Sequence, residues 1–544
     1  MNLKYLLLSL LSALLLSLPF FEHFSGLVLL IAFVPLLLVE DDLANQGKKN
    51  AWRWAALTFL VWNGCTTYWI MYATFWGMIG AVVATSALET LVFWCFTAAK
   101  RRLSKGLGYI AFVVFWLTWE HFFLNSEINW PWLTLGNGFC KDIYLIQWYD
   151  ITGTLGGSCW ALVCNALIAY LISATSDQRP ATNCQVSSTK YFKFPFLPLG
   201  VRGHLIALVL LIVFPITCSL IIFYTYKTPQ GTECNIAVLQ PNIDPFGEKF
   251  DGMSPQQQLE ILLQLANATA DSTTHYVIAP ETALPGIWEN NFATDYYIEK
   301  IRAFCAQHPQ TRFITGATTF YKYGEQEKKS YTARHNNDTY YDVYNAALQI
   351  DTGSNVGVYH KSKLVVGVEM LPYPKYMKFL SKLAINLGGS SGGLGTQRER
   401  TVFAGQDNTF RVGVAVCYES IFGEYCTEYV KNGANLLFII TNDGWWRDTP
   451  GHRQHLNYAR LRAIETRRDI ARSANTGISA VINQRGEMLH RTQWWVRDAF
   501  TATITTNDAI TPYVRYGDVV ANIAQLLSLA IICVIITKKA RRKQ

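Results

Sequence analysis

Three residues in the second half of this sequence have the types that covalent acyl chemistry needs. Glu281 closes the apolar run YVIAPE, Cys417 closes RVGVAVC, and Lys361 follows the extended stretch SNVGVYHK. A thiol attacks acyl carbonyls well once its proton is removed. A carboxylate can take that proton and return it later. An ammonium can hold the oxyanion formed in between, helped by the backbone N–H of Tyr418, the residue after the thiol. Singly, each has an ordinary explanation: a solvated strand-end carboxylate, a loop lysine, a small buried hydrophobe. Their shared placement is the informative part, because open α/β sheets put chemistry just past the carboxyl ends of their strands.

The elements that must position them begin after Lys227, where the composition turns abruptly to mixed polar and apolar. Short β-rich runs, Asn235–Leu239, Tyr276–Ala279, Arg312–Thr315, Ala346–Asp351, Arg411–Val416, Leu436–Thr441 and Ser479–Asn483, alternate with helical stretches. The helices are expected at Ser254–Ala270, Asp295–His308 and His452–Arg468. That alternation predicts a layered α/β sandwich with helices on the sheet faces. Leu387–Thr396 (LGGSSGGLGT) is too glycine-rich for regular structure and reads as a mobile loop.

Before and after this region the chain reads as membrane. Half of its 544 residues are hydrophobic and only 16% are charged, with a mean hydropathy of +0.13. Apolar runs long enough to span a bilayer occur near 3–21, 25–39, 54–76, 78–99, 108–124, 153–173, 204–226 and 519–537, the second being short. The first is too long for a signal-peptide core, lacks a small-x-small cleavage site, and is expected to stay as a helix. Lys48, Lys49 and Arg53, then Lys100, Arg101, Arg102 and Lys105, then Arg179, Lys190, Lys193 and Arg202, and finally Lys538, Lys539, Arg541, Arg542 and Lys543 fall in alternate loops and the tail. Lys141 is the exception. Eight spans with both termini in the cytoplasm satisfy the positive-inside rule and put the segment between the last two spans outside. The expected divisions are a membrane domain at 1–227, an outward catalytic domain at 228–515, and an eighth span with a basic tail at 516–544. Glu89, Glu120, His121, Asn522 and Gln525 lie in or near spans, as functional groups or as helix-to-helix hydrogen bonds.

The net charge of +8 belongs to those loops, so nucleic-acid binding is not expected. The twelve cysteines form no disulfide framework, CxxC pair or zinc-ligand spacing, so no metal site is expected.

VIAPETALP, YHKSKLVVGVE, RVGVAVCYES and TNDGWW resemble, in order, the four signatures of the nitrilase, or carbon–nitrogen hydrolase, superfamily, over about residues 232–505. Such a domain between seven spans and an eighth is similar to the apolipoprotein N-acyltransferase family, as are NWPWLTLGN at 129–137 and QPNI at 240–243. The resemblance implies an αββα sandwich with Glu281, Lys361 and Cys417 as a catalytic triad and no cofactor. It implies a phospholipid acyl donor, typically phosphatidylethanolamine, and a diacylglyceryl-apolipoprotein acceptor. It further implies a monomer in the inner membrane of a Gram-negative bacterium, with the catalytic domain in the periplasm.

By the same resemblance Glu369 orients the lysine or binds the incoming amine, Tyr418 and Glu419 continue the Cys-Tyr-Glu motif, Trp445 walls the pocket, and Asn442 and Asp443 shape its turn. Arg460 and Arg462 are expected to support the fold. Met370–Leu380 is a candidate lid, hinged by the glycine-rich segment. The sequence departs from the family at Val366, where a proline is usual, at Phe250, where a tryptophan is usual, and at Trp446, where phenylalanine is common. Two other readings remain open here: a membrane-tethered nitrilase-type amidase, and a transporter or receptor whose outer domain only binds ligands.

Overall fold

The computed structural model describes residues 2–176, 201–249, 252–337, 339–370, 373, 393–405 and 407–541. The N-terminal part is helical: α1 (Leu3–Ser17), α2 (Val34–Asn45), α3 (Ala51–Thr67), α4 (Phe75–Lys100), α5 (Lys105–Asn125), a short α6 (Tyr149–Thr152), α7 (Thr154–Ser176) and α8 (Val201–Thr225). A further helix, Val519–Arg541, closes the described chain. Among the described residues, six helices are long and apolar enough to cross a membrane: those at Leu3–Phe20, Phe75–Lys100, Lys105–Asn125, Thr154–Ala174, Arg202–Thr225 and Val519–Arg541. Arg202–Thr225 is the most apolar of them and has almost no buried surface, as expected of a helix whose solvent is lipid. Over the expected second span the chain makes a 3-10 turn at Gly26–Leu30 and then α2, which carries the buried acids Glu40 and Asp41 in its second half.

The intramembrane polar residues pair between helices. Asn63 of α3 donates to Glu89 of α4 at 2.7 Å, and Gln525 meets His121 of α5 at 2.6 Å. Glu120 accepts from the backbone N–H of Leu135 at 2.9 Å, which anchors the connection 129–137 against α5. Lys100 closes the other end of the bundle by pairing with both Glu40 and Asp41.

Among the described residues, the α/β region carries fourteen strands in two sheets. The first contains β1 (Glu233–Gln240), β2 (Tyr276–Ile278), β3 (Leu284–Trp288), β4 (Arg312–Lys322), β5 (Arg334–Asn336), β6 (Thr339–Ile350), β7 (Gly357–His360) and β14 (Asp498–Thr505). Its order is β14-β1-β2-β4-β6-β5, with β3 on β4 and β7 on β6. The second holds β8 (Val402–Ala404), β9 (Arg411–Val416), β10 (Leu436–Thr441), β11 (Ile470–Ala474), β12 (Ala480–Ile482) and β13 (Met488–Arg491), in the order β13-β12-β11-β10-β9-β8.

Alternation along the strands builds the layers. Ile236 and Val238 of β1 enter the large core shared with Val412, Val414 and Val416 of β9. Ala237 and Leu239 face the other way, into a second core with Leu259, Leu262, Ile298 and Ile301 of α9 (Pro255–Thr269) and α10 (Tyr296–Gln307). Between the sheets, Tyr276 of β2 meets Phe438 of β10 edge-on at 5.4 Å. Helices α11 (Gly423–Lys431) and α12 (Pro450–Thr466) cover the far side of the second sheet, giving the expected αββα order. Local chemistry starts these helices where the sequence indicates. Ser254 and Gln257 make a reciprocal capping box for α9, and Thr449 with Pro450 opens α12.

Helix α12 also joins the α/β region to the helical part. Gln454 accepts from the indole of Trp132 at 2.6 Å, Glu465 accepts from Thr154 Oγ1 at 2.6 Å, and Arg467 donates to Gln147 and Asp150 at 2.6 and 2.8 Å. A short α13 (Pro512–Tyr516) then leads into α14 (Val519–Arg541).

Candidate active site

Strands β2 and β9 belong to different sheets; β2 runs parallel to β1 and β4, and β9 runs parallel to β10. Glu281 and Cys417 therefore leave the sandwich at the same kind of edge, one from each sheet. The backbone after each strand turns sharply: Thr282 has φ 49° and Cys417 φ 51°. Lys361 follows β7, and its N–H is held by the carbonyl of Asn345 on β6 at 2.8 Å.

The structure brings Glu281, Lys361 and Glu369 together. Lys361 Nζ lies 2.9 Å from Glu281 Oε1 and 2.9 Å from Glu369 Oε1, and the lysine is 1% exposed. Asn345 Nδ2 donates to the same two oxygens, at 2.8 and 3.0 Å. Glu281 Oε2 accepts the backbone N–H of Asn442 at 3.1 Å, and Glu369 Oε2 accepts that of Val365 at 2.8 Å. Each carboxylate is thus oriented on both oxygens, with Lys361 between them.

Burial alone would raise the Glu281 carboxyl, but the charge and hydrogen bond of Lys361, with Asn345 and Lys249 in support, outweigh it and hold it below the ordinary value. Glu281 is therefore a carboxylate able to take a proton. Burial lowers Lys361, but Glu281, Glu369 and Cys417 outweigh that and keep it firmly cationic. The Cys417 thiol is pushed up by burial and then by Glu281, with Lys361 and a hydrogen bond to Thr441 acting in the opposite sense. At rest Cys417 is therefore a thiol, and Glu281 is a charged carboxylate within electrostatic reach of it.

Glu419 fastens these pieces together. It is fully buried, and its Oε1 accepts from Tyr359 at 2.7 Å, Tyr425 at 2.5 Å and the N–H of Ser362 at 2.7 Å. Its Oε2 accepts the N–H of Val416 at 2.8 Å. One carboxylate thus ties the residue before Cys417 to the residue after Lys361. Glu419→Gln turns an amide N–H₂ toward buried donors, and should cost about 1–3 kcal/mol. A lowered melting temperature, with faster hydrogen exchange at Val416 and Ser362, is the expected reading; unchanged exchange at both would contradict it.

Gly316 on β4 backs Glu281. Its N–H bonds Pro280 O at 3.0 Å, and a Cβ there would stand 2.4 Å from Thr282 N and 2.5 Å from Glu281 Cα. Those atoms are main chain and yield only by moving the carboxylate. Gly316→Ala is expected to slow turnover by about 10²-fold, the cost of roughly 1 Å of misplacement. Steady-state rates check this, and wild-type turnover in the variant would contradict it.

Of the remaining residues expected at the site, Tyr418 is buried with its hydroxyl on the carbonyl of Asn129 at 3.1 Å and its ring stacked on Trp130 at 6.2 Å. It faces the helical part. Trp445 stacks edge-on to Phe246 at 5.4 Å, whereas Trp446 packs on Trp69 at 4.9 Å and on His455 at 5.7 Å. Phe250 lies outside the described residues, as does the candidate lid apart from Met370 and Tyr373, and all of the glycine-rich segment except residues 393–396. Arg462 pairs with Glu465 at 2.7 Å, and Arg460 donates to Gly486 O at 2.8 Å, in the fold-supporting role expected of both.

Sequence reading did not single out Asn345, Lys249 or His455. Asn345 is one of two amides in the apolar strand run VYNAALQI, a position where burial demands a partner. Lys249 donates to Thr282 Oγ1 at 2.8 Å beside Glu281, and burial lowers it to about 8 despite the Glu281 charge.

The carbon–nitrogen hydrolase family matches residues 235–511, just over half of the chain and the region that contains all of these groups. The chain belongs to the carbon–nitrogen hydrolase family. Residues 12–167 match the apolipoprotein N-acyltransferase N-terminal domain. An apolipoprotein N-acyltransferase of Chlorobaculum tepidum is 28% identical over 91% of this chain and 89% of its own. One from Geobacter metallireducens is 27% identical over 95% and 92%. Among solved structures, a CN-hydrolase superfamily protein of Xanthomonas campestris aligns with 50% of this chain and 91% of its own, at 16% identity and a TM-score of 0.35.

Proposed function

We propose that this membrane protein transfers a fatty acyl chain from a phospholipid to the α-amine of an N-terminal diacylglyceryl-cysteine, through a thioester on Cys417. The observation that carries this reading is the pairing of Glu281 and Lys361 at 2.9 Å, in a buried contact that couples electrostatically to the Cys417 thiol, in a chain whose helices suit lipid. The two relatives named above, which align over nearly the whole chain, carry the name of this activity.

In the first half-reaction Glu281 takes the thiol proton as sulfur attacks the ester carbonyl. Negative charge collects on the carbonyl oxygen, where Lys361 and the N–H of Tyr418 hold it. The carbon–oxygen bond then breaks, and Glu281 returns the proton to the glycerol oxygen, so a lysophospholipid leaves. In the second half-reaction the acceptor amine attacks the thioester, Glu281 takes the amine proton, and the carbon–sulfur bond breaks. The sulfur recovers a proton, and the acyl chain is now an amide. Glu369 holds Lys361 throughout, and Glu419 holds the turn that carries the thiol.

The same proposal includes eight spans, cytoplasmic termini, and the 228–515 domain outside an inner membrane. Basic residues in alternate loops support that orientation. Both substrates would then reach the site from the outer leaflet, with phosphatidylethanolamine as donor.

The test supplies purified protein with phosphatidylethanolamine vesicles and a synthetic diacylglyceryl-cysteine peptide. Equal amounts of triacylated peptide and lysophospholipid are expected. Free fatty acid with no triacylated peptide would make water the acceptor and overturn the reading.

A further inference from the structure

We propose that His455 is a positioning residue for acyl transfer, acting through the main chain of the nucleophile. This rests on the reading above that Cys417 carries the acyl group. Cys417 has φ 51°, in the left-handed region where a side chain costs roughly 1–2 kcal/mol. Such a conformation persists only where its surroundings over-determine it. Here they act on the cysteine's carbonyl oxygen. That oxygen accepts from Ser420 Oγ at 2.8 Å and lies 3.1 Å from His455 Nε2. We assign the Nε2 proton to this oxygen, which can only accept, with Ser420 Oγ a further neighbour of the same nitrogen at 2.9 Å.

Behind the ring stands a chain of buried groups. His455 Nδ1 is 2.9 Å from Asp443 Oδ1, which also accepts from Thr441 Oγ1 at 2.7 Å. Asp443 Oδ2 pairs with Arg472 Nη2 at 2.5 Å. His455, Asp443 and Arg472 are each 0% exposed, and Trp132 and Trp446 enclose the imidazole at ring distances of 5.9 and 5.7 Å. The imidazole therefore has one orientation, with Nε2 fixed on the Cys417 carbonyl.

The consequence lies in one peptide unit. The carbonyl of Cys417 and the N–H of Tyr418 are its two ends. A donor on the carbonyl pins the plane, and so the direction of the N–H; it also polarises the amide, which strengthens the N–H as a donor. The N–H borders the carbon under attack, so the histidine's effect is felt where the oxyanion forms. The hydrogen bonds of His455 run to the Cys417 carbonyl, Ser420 and Asp443 rather than to substrate, which makes it a positioning group and not a catalytic one.

Two substitutions separate this from simple packing. In His455→Gln the amide nitrogen can take the place of Nε2 and keep a donor on the carbonyl. In His455→Asn the shorter amide reaches only the Asp443 side. The readout is the single-turnover rate of Cys417 thioester formation on phosphatidylethanolamine vesicles, with lipid concentration varied and melting measured alongside. H455Q is expected within about threefold of wild type. H455N should be slower by at least about 10-fold, at unchanged half-saturating lipid and with the melting temperature of H455Q. Wild-type rates in H455N would overturn the inference, as would equal losses in both variants that follow their melting temperatures. If wild type forms no thioester, this inference falls with the reading beneath it; if wild type does and H455N matches it, the inference falls alone.

Discussion

Replacing Cys417 with serine is expected to lower N-acylation by on the order of 10⁴-fold or more, the scale on which an enzyme loses its nucleophile. The change removes one polarisable atom and leaves the turn intact, since Val416 and Ser420 keep their bonds to Glu419 and to the residue 417 carbonyl. The loss should be chemical rather than structural. A serine hydroxyl is a far weaker acid than a thiol, and Glu281, held below the ordinary carboxyl range by Lys361, is too weak a base to deprotonate it. The variant should therefore melt with the wild type and bind phospholipid normally. Steady-state acylation of a diacylated peptide, measured with melting in the same detergent, checks both parts. Residual turnover within tenfold of wild type would remove the thiol from the mechanism.

Lys361→Met is expected to cost both activity and stability. Lys361 is the cation shared by Glu281 and Glu369, 2.9 Å from each, and it is buried with Glu281 while Glu369 is partly exposed. Without it Asn345 holds two carboxylates that repel each other, and one must take a proton to stay buried. Breaking a buried pair by removing one partner costs roughly 3–5 kcal/mol. Loss of an oxyanion donor adds about 10²–10³-fold in rate, and protonation of Glu281 removes the base as well.

The pH dependence has a definite sign. Glu281 is depressed in the folded protein, so its stabilisation is full above the unfolded carboxyl value of about 4.3 and is lost as pH falls through the lower folded value. Lys361 is raised, so its stabilisation is full below about 10.4 and is lost as pH rises through the higher folded value. The melting advantage of wild type over the variant should shrink as pH falls, because the proton that the variant's buried carboxylate must bind becomes easier to supply while Glu281 of wild type loses its charge. An advantage that grows on acidification would contradict this pairing.

The sequence made some of this arrangement legible for physical reasons. RVGVAV and LLFIIT are continuous apolar runs because β9 and β10 are buried on both faces, and both strands appear within the expected limits. The helix α9 announces itself by its Ser-Pro start and capping glutamine. Other parts depend on tertiary partners. β8 and β13 are short edge strands of three and four residues, with no local period to read. The second apolar run divides into a 3-10 turn and a twelve-residue helix, because packing around Asn165, which accepts from the N–H groups of Phe33 and Val34, decides where that chain turns.

At the site, Glu281, Lys361, Cys417 and Glu369 could be named because each stands in a recognisable motif. His455 lies thirty-eight residues from Cys417 along the chain, and Asn345 sixty-four from Glu281, so folding alone brings them together. Adjacent tryptophans hide the inner one in the same way. Of Trp445 and Trp446, the second packs on Trp69 and His455, an assignment set by the turn after Asn442.

The central claim is a covalent acyl-enzyme on Cys417, and intact mass spectrometry measures it most directly. Purified wild type and Cys417→Ser are each incubated with phosphatidylethanolamine and no acceptor. The wild type should gain the mass of one fatty acyl group, lose it to neutral hydroxylamine, and lose it again to a diacylglyceryl-cysteine peptide, while the variant gains nothing. A wild-type protein that stays unmodified while lipid is bound, or an adduct that persists in the variant, would contradict the account.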